Sequence, residues 1–339
     1  MFEGLRKPTE LIVIVVTLLS YGCPLQAIVH AFDLDERTVA SWRDRAGNHC
    51  QKVHQAMVET GQLDLVHVQV DEIRVKGCKM IPWMGLAMMV STRLWLAGTV
   101  SLTRDSSLAD ALMQQIRRCS QAMRALLVCT DGWAAYPNSI RRAFREKVKK
   151  TLGRGRACLQ IWPDVHIGTV IKRTEKKRVV EVTRKMSHGN EERAELLLNH
   201  SAGGHVLNTA FIERLNGTMR ERLATLTRKC RHGARHVRSL ETGMYLIGTT
   251  YNFCWAHQEL SKPSHLGFAC TPAVAAGLTD HIWSVFDLLH YKVAPLPWVE
   301  PTRRGRPKML GEQTPRPMKP RSKKPLLRLR KGRLCSTTV

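Results

Sequence analysis

The spacing of hydrophobic and polar positions changes several times along this chain, and each change predicts an element. An apolar run from Leu11 to Leu19, preceded by Arg6 and Lys7, predicts a buried first helix. Its nine residues fall short of the roughly 20 that span a bilayer, and Tyr21 stands where a signal-peptide cleavage site wants a small side chain. Pro24 to Phe32 places Leu25, Ile28, Val29 and Phe32 on one helical face. The turn Asp33-Leu34-Asp35 follows, and Asp35 suits the N-cap of a second helix over 36–45. Helix, turn, helix is the layout in which the second helix enters the DNA major groove, and Arg37, Thr38, Ser41, Arg43 and Arg45 are its candidate contacts. An ordinary helical hairpin is the plain alternative.

From Leu65 the period shortens. The β-rich run Leu65 to Val75 and the apolar stretches 81–90 and 94–100 predict three consecutive strands. A helix over 106–122 follows, and Ala125 to Cys129 forms a short, wholly apolar strand of the kind covered by helices on both faces. Residues 141–200 are dense in Lys and Arg without a sustained helical period, so about 141–205 reads as an insertion with short strands near 157–161 and 165–171. A long amphipathic helix is predicted over 209–228, with Ile212, Leu215, Met219, Leu223 and Leu226 as its stripe, and another over 236–256. Four regions result: a helix-turn-helix domain over 1–60, an α/β domain over 61–260, a helical extension over 261–300, and a tail over 301–339.

Charge changes the picture most. The 339 residues carry 53 Lys plus Arg against 28 Asp plus Glu, a net +25, and such self-repulsion calls for a polyanionic partner. Double-stranded DNA fits best. With 43% hydrophobic residues the chain buries real cores, but the tail is different: from Thr302 onward it holds five prolines, many basic residues and the single acid Glu312, a composition that stays disordered. Within it Arg304-Gly305-Arg306-Pro307 resembles a hook for an A·T-rich minor groove, with generic phosphate binding as the simpler reading. Ten cysteines are scattered with no Cys-x-x-Cys pair, which suits reduced thiols of a cytoplasmic protein better than a zinc or redox motif.

In so basic a chain, an acid inside an apolar element needs a reason. Phosphoryl transfer on DNA commonly uses two divalent cations held by a few carboxylates, and Mg²⁺ favours such oxygen ligands. Asp71 sits inside the first predicted strand, Asp131 ends the apolar strand in Asp131-Gly132-Trp133-Ala134-Ala135-Tyr136, and Glu213 lies on the amphipathic helix in Ile212-Glu213-Arg214-Leu215-Asn216. Glu72 adjoins Asp71, but strand alternation puts it on the opposite face, in the character of an exposed edge. Asp131 has a competing role as a helix cap, and Glu213 as a surface ion-pair partner of Arg214 or Arg220. His200 and His205 lack a third ligand and read as loop histidines.

The order of these three acids, with the Asp-Gly-Trp-x-x-Tyr segment, Ile-Glu-Arg-x-Asn and a basic residue seven positions after the Glu, resembles the DDE transposases of bacterial insertion sequences, especially the insertion-sequence-one-like group. The resemblance covers roughly 65–260. It implies an RNase H-like core in which Asp71, Asp131 and Glu213 are catalytic and hold two Mg²⁺ (or Mn²⁺) ions, with Arg220 contacting donor DNA. Arg214, Asn216 and Arg222 join the candidate DNA contacts. The interval from Asp131 to Glu213 is longer than that group usually has, and the zinc-binding cysteines of some relatives are missing. The expected protein is a nucleoid-associated, cytoplasmic homo-oligomer that needs no small-molecule cofactor. A catalytically inactive DNA-binding relic and an RNase H-like nuclease or resolvase remain open alternatives.

Overall fold

A computed structural model describes residues 1–77, 81–149, 157–176, 178–226, 233–262 and 267–294. The basic tail, with Arg304 and Arg306, lies outside the described residues, as do 150–156 and 227–232.

The chain begins with three helices, α1 (Thr9–Ser20), α2 (Leu25–Phe32) and α3 (Glu36–His54). Pro24 precedes α2, which ends at Asp33 in the left-handed region (φ 48°), a conformation that Asp tolerates better than most residues. Asp35 caps α3 as expected, its carboxylate accepting from the backbone N–H of Arg37 at 2.8 Å and Thr38 at 3.2 Å. The α3 helix runs nine residues past its expected end because Ala46, Cys50 and Val53 continue the stripe begun by Val39 and Trp42. That stripe packs on α8 (Val237–Phe253). At the crossing a Cβ on Gly47 would lie 2.3 Å from the Thr242 carbonyl oxygen, so only glycine allows this approach. The helices expected as a separate domain over 1–60 therefore share one hydrophobic core with the rest of residues 1–294.

The central sheet is mixed, in the order β3-β2-β1-β4-β7-β8. The first three strands, β1 (Val66–Arg74), β2 (Trp83–Met89) and β3 (Trp95–Ser101), form an antiparallel meander, as the alternation predicts. After α4 (Ser106–Cys119), β4 (Leu126–Thr130) joins parallel to β1 with every residue buried. The α5 helix (Ala135–Ala143) leads to a small hairpin of β5 (Arg145–Val148) and β6 (Cys158–Ile161).

The segment expected as an insertion over 141–205 then returns to the sheet. Strand β7 (Val165–Glu175) pairs parallel with β4, from Leu126 opposite Val165 to Thr130 opposite Thr169, and β8 (Arg178–His188) runs back antiparallel as the edge. Only 165–170 of β7 is buried, and from Ile171 the hairpin is exposed and basic. The strand expected near 165–171 is therefore a member of the central sheet and not part of an insertion; the run of Lys172, Arg173, Arg178, Arg184 and Lys185 is why its place and length were not legible. Next come α6 (Glu191–His200) and α7 (Ala210–Arg222), which ends earlier than expected. The region over 261–294 supplies two short helices, α9 (Pro272–Ala275) and α10 (Val285–His290), the latter closed by a Ser284–Asp287 capping box. No helix among the described residues is long and apolar enough to cross a membrane.

Candidate metal centre

Three acids from well-separated parts of the chain line one cavity of about 480 Å³: Asp71 on β1, Asp131 just after β4, and Glu213 on α7. The parallel pairing of β1 with β4 brings the carboxyl ends of both strands together, which is where ligand sites of α/β sheets gather. Arg104, Trp133, Lys172 and Thr209 complete the principal polar and aromatic lining.

The Asp71 carboxylate is held from two directions. Its Oδ1 accepts the Glu72 backbone N–H at 2.9 Å, and its Oδ2 accepts the Asn216 side-chain amide at 2.7 Å. Asn216 is buried at 1% exposure. The residue expected to touch DNA instead positions a carboxylate, because the buried face of α7 (Ile212, Leu215, Asn216, Met219) turns it toward the sheet. Asp131 accepts the Trp133 backbone N–H at 3.0 Å, so its cap-like role and its place in the cavity coexist. On Glu213, Oε1 accepts the Thr209 hydroxyl at 2.7 Å and an ion pair from Lys172.

Glu72 departs from expectation. Its side chain is 3% exposed, because α4 and α5 cover the face that alternation assigns to it. Tyr136 donates its hydroxyl to Glu72 Oε2 at 2.7 Å, and Arg104 pairs with Oε1. Arg104 also stands 3.7 Å from Asp131 and packs over the Trp133 ring at 4.5 Å. One oxygen from each of Asp71, Glu72 and Asp131 lies within 4.8 Å of the other two, a span that one cation can bridge. Glu213 faces this group from the cavity wall.

Such crowding is electrostatically costly. Burial, reinforced by the Glu72, Asp131 and Glu213 charges, pushes the Asp71 carboxyl up to about 7. Burial and Asp131 raise Glu72 as well, against the opposing pull of Tyr136 and Arg104. An all-oxygen donor set with excess negative charge suits a hard divalent cation, so these residues fit Mg²⁺ or Mn²⁺.

A further residue that sequence reading missed holds the geometry. Gln69, buried two positions before Asp71, accepts the backbone N–H groups of Phe211 at 3.0 Å and Ile212 at 3.1 Å through its carbonyl oxygen. Its amide donates to Asn208 at 3.0 Å. The first turn of α7 has no cap from its own Thr209, so a side chain on β1 satisfies those donors and ties Asp71 to Glu213. The only sequence signal was an amide inside an apolar strand.

The other expected DNA contacts scatter. Arg37, Ser41 and Arg45 are exposed on α3, Thr38 is half-buried, Arg43 pairs with Asp44, and Arg45 also donates to the Glu3 carbonyl at 2.9 Å. Arg220 lies two turns after Glu213 on the same flank of α7. Arg214 and Arg222 line a different cavity, described below. No protein-family model matches the chain, and no curated protein matches it in sequence.

Proposed function

We propose that this chain is a DNA transposase with an RNase H-like core, cleaving DNA at the ends of a mobile element and joining the freed ends to target DNA. The observation that carries the reading is the convergence of Asp71, Asp131 and Glu213 on one cavity beside a sheet in which β1 pairs parallel with β4. The meander β1 to β3, followed by α4 and by the parallel strands β4 and β7, supports the same core.

In this reading Asp71 and Asp131, with Glu213 opposite and Glu72 behind, hold a pair of Mg²⁺ or Mn²⁺ ions, which supply Lewis acidity to the attacking and leaving oxygens of phosphoryl transfer. Water hydrolyses one phosphodiester, leaving a 3′-hydroxyl and a 5′-phosphate. The 3′-hydroxyl then attacks a target phosphodiester in line, forming a new P–O bond as the target's own 3′-oxygen leaves. The protein's task is orientation: Asn216 and the Trp133 N–H fix two carboxylates, and Gln69 fixes α7. Lys172, paired with Glu213, neutralises that acid until a cation replaces it. The exposed face of α3, the basic β7–β8 hairpin, Arg220 and the tail residues Arg304 and Arg306 hold duplex phosphates, which makes binding steeply salt-dependent. Two element ends must meet, so the working form is a homo-oligomer on the nucleoid.

The test is a strand-transfer assay with labelled DNA from the element ends and a target plasmid, with Mg²⁺ or EDTA, comparing the parent with Asp131→Ala. Joined product that requires both Mg²⁺ and Asp131 is expected. Cleavage without joining redirects the reading to a nuclease. Salt-sensitive binding by folded protein with neither step overturns catalysis altogether.

A further inference from the structure

A second cavity, of about 400 Å³, lies along the other flank of α7. With about 100° between successive residues, Phe211, Arg214, Thr218 and Arg222 form one flank of the helix, and Glu213 and Arg220 form the opposite one. The cavity is lined by three arginines, Arg93, Arg214 and Arg222, together with rings from Tyr21, Phe211, Tyr251 and Trp255, and it contains no Asp or Glu. The carboxylate cavity, by contrast, sets Arg104 and Lys172 against three acids.

Its polar groups are arranged but incomplete. The Arg222 guanidinium lies 4.9 Å from the Tyr21 ring centre and 4.6 Å from that of Trp255. Arg93, 8% exposed, stacks 3.8 Å from the Phe211 ring. Neither Arg93 nor Arg214 makes a salt bridge among the described residues, although the Glu259 charge acts on both from outside the lining. Three buried lining atoms have no hydrogen-bond partner: Arg222 Nε, which stands 4.0 Å from the Glu221 carboxylate, Trp255 Nε1 and His257 Nδ1. Orphaned buried polar groups of this kind are uncommon in native proteins and call for a partner. Three guanidinium groups against two acids that stand outside the lining, Glu221 and Glu259, leave room for a further anion. Aromatic faces beside it call for a flat, polarisable ring.

We propose that this cavity binds one unpaired nucleotide of a DNA strand, its base against Trp255 and Tyr21 and its phosphate on Arg214 and Arg93. The volume admits a nucleoside phosphate and excludes a duplex. The ligand's source rests on the reading above, since opening the duplex beside the carboxylates frees a nucleotide that α7 separates from them by only its own width. Recognition here needs no metal, which allows the two readings to be tested apart.

The experiment uses the full chain in EDTA at fixed salt and a short duplex with 2-aminopurine as a single unpaired 3′ overhang, alongside the blunt duplex. Overhang binding is expected to quench 2-aminopurine, and Trp255→Ala to weaken that binding about tenfold with loss of quenching. Arg214 is exposed, so Arg214→Ala tests the same site without touching the core, and it is expected to weaken overhang binding about fivefold with blunt-duplex affinity changed less than about twofold. Unaltered quenching and affinity in either folded variant overturns the proposal. If overhang binding depends on these residues but strand transfer fails, the cavity stands and the transposase reading falls. If strand transfer succeeds and overhang binding ignores them, the reverse holds.

Discussion

The two flanks of α7 make opposite electrostatic environments from one 13-residue helix. On the Glu213 flank, acids outnumber their partners, and burial pushes Asp71 up to about 7. On the Arg214 flank, arginines stand among rings with no acid in the lining. The buried face between them, with Ile212, Leu215 and Met219 in the core, fixes the orientation of both. In the two readings proposed above, the first cavity takes a divalent cation and the second a phosphate. The half-exposed Lys172–Glu213 pair contributes under about 1 kcal/mol, so a ligand displaces it at small cost.

The most severe test of this division removes one acid. Asp131→Asn keeps shape and hydrogen-bonding capacity but removes a charge, and it is expected to lower metal-dependent cleavage by about a thousandfold. DNA affinity, measured by filter binding in EDTA, is expected to hold or rise slightly because a negative charge is gone. A parallel collapse of DNA affinity would show that the acidic flank also builds the binding surface, and the contrast would be lost.

The next test loosens the flank without touching its charges. Gln69→Leu strands the Phe211 and Ile212 N–H groups, costing about 1–3 kcal/mol of stability. It is also expected to lower the cleavage rate about a hundredfold with little change in KM, since α7 can then shift against Asp71. Gln69→Glu retains the acceptor and should recover part of the rate. An equal stability loss with an unchanged rate would reduce Gln69 to a structural cap.

Much of this arrangement was legible in the sequence, and the gaps have physical causes. Alternation and apolar runs located β1 to β3, β4 and the start of α7, because each buries a full face or a full stripe. The three acids stood out because charged groups are costly inside such elements. Strand β7 was expected near 165–171 but assigned to an insertion, because only 165–170 is buried before the chain turns basic. Glu72 was misplaced because alternation tells which face a residue takes, not whether helices cover that face, and here α4 and α5 do. Gln69 was passed over and Asn216 was read as a DNA contact, since their partners lie about 140 residues away in the chain. The lining of the second cavity comes from four segments between Tyr21 and His257, which no local pattern joins.

A smaller effect separates the flanks by ligand. Mg²⁺ that binds only the folded chain stabilises it by about 2.7 kcal/mol at a hundred times its Kd, a shift of a few degrees in Tm for a protein of this size. Asp71→Asn is expected to abolish that shift, and Arg214→Ala to leave it intact. A shift that survives Asp71→Asn would place the cation elsewhere.

The mildest test concerns pH, where the two flanks should part. His54 and His67 are buried, and burial lowers each imidazole to about 3. Nε2 of His54 donates to the Leu96 carbonyl at 3.1 Å, and His67 on β1 meets the Ser201 hydroxyl at 3.0 Å. The unfolded chain takes up these protons near 6.5 while the folded chain refuses them. Their contribution to stability is therefore complete above about 6.5 and is lost as pH falls toward 3, at up to about 1.4 kcal/mol per pH unit for each histidine. Urea denaturation at pH 7 and pH 5.5 should show the loss, and His67→Gln should reduce it. Overhang binding is expected to fail with the shared core, whereas Mg²⁺ binding should weaken first, as pH falls through about 7 and Asp71 takes up a proton. If the two fail together as the protein unfolds, the shared core, not carboxylate protonation, sets the limit on both flanks.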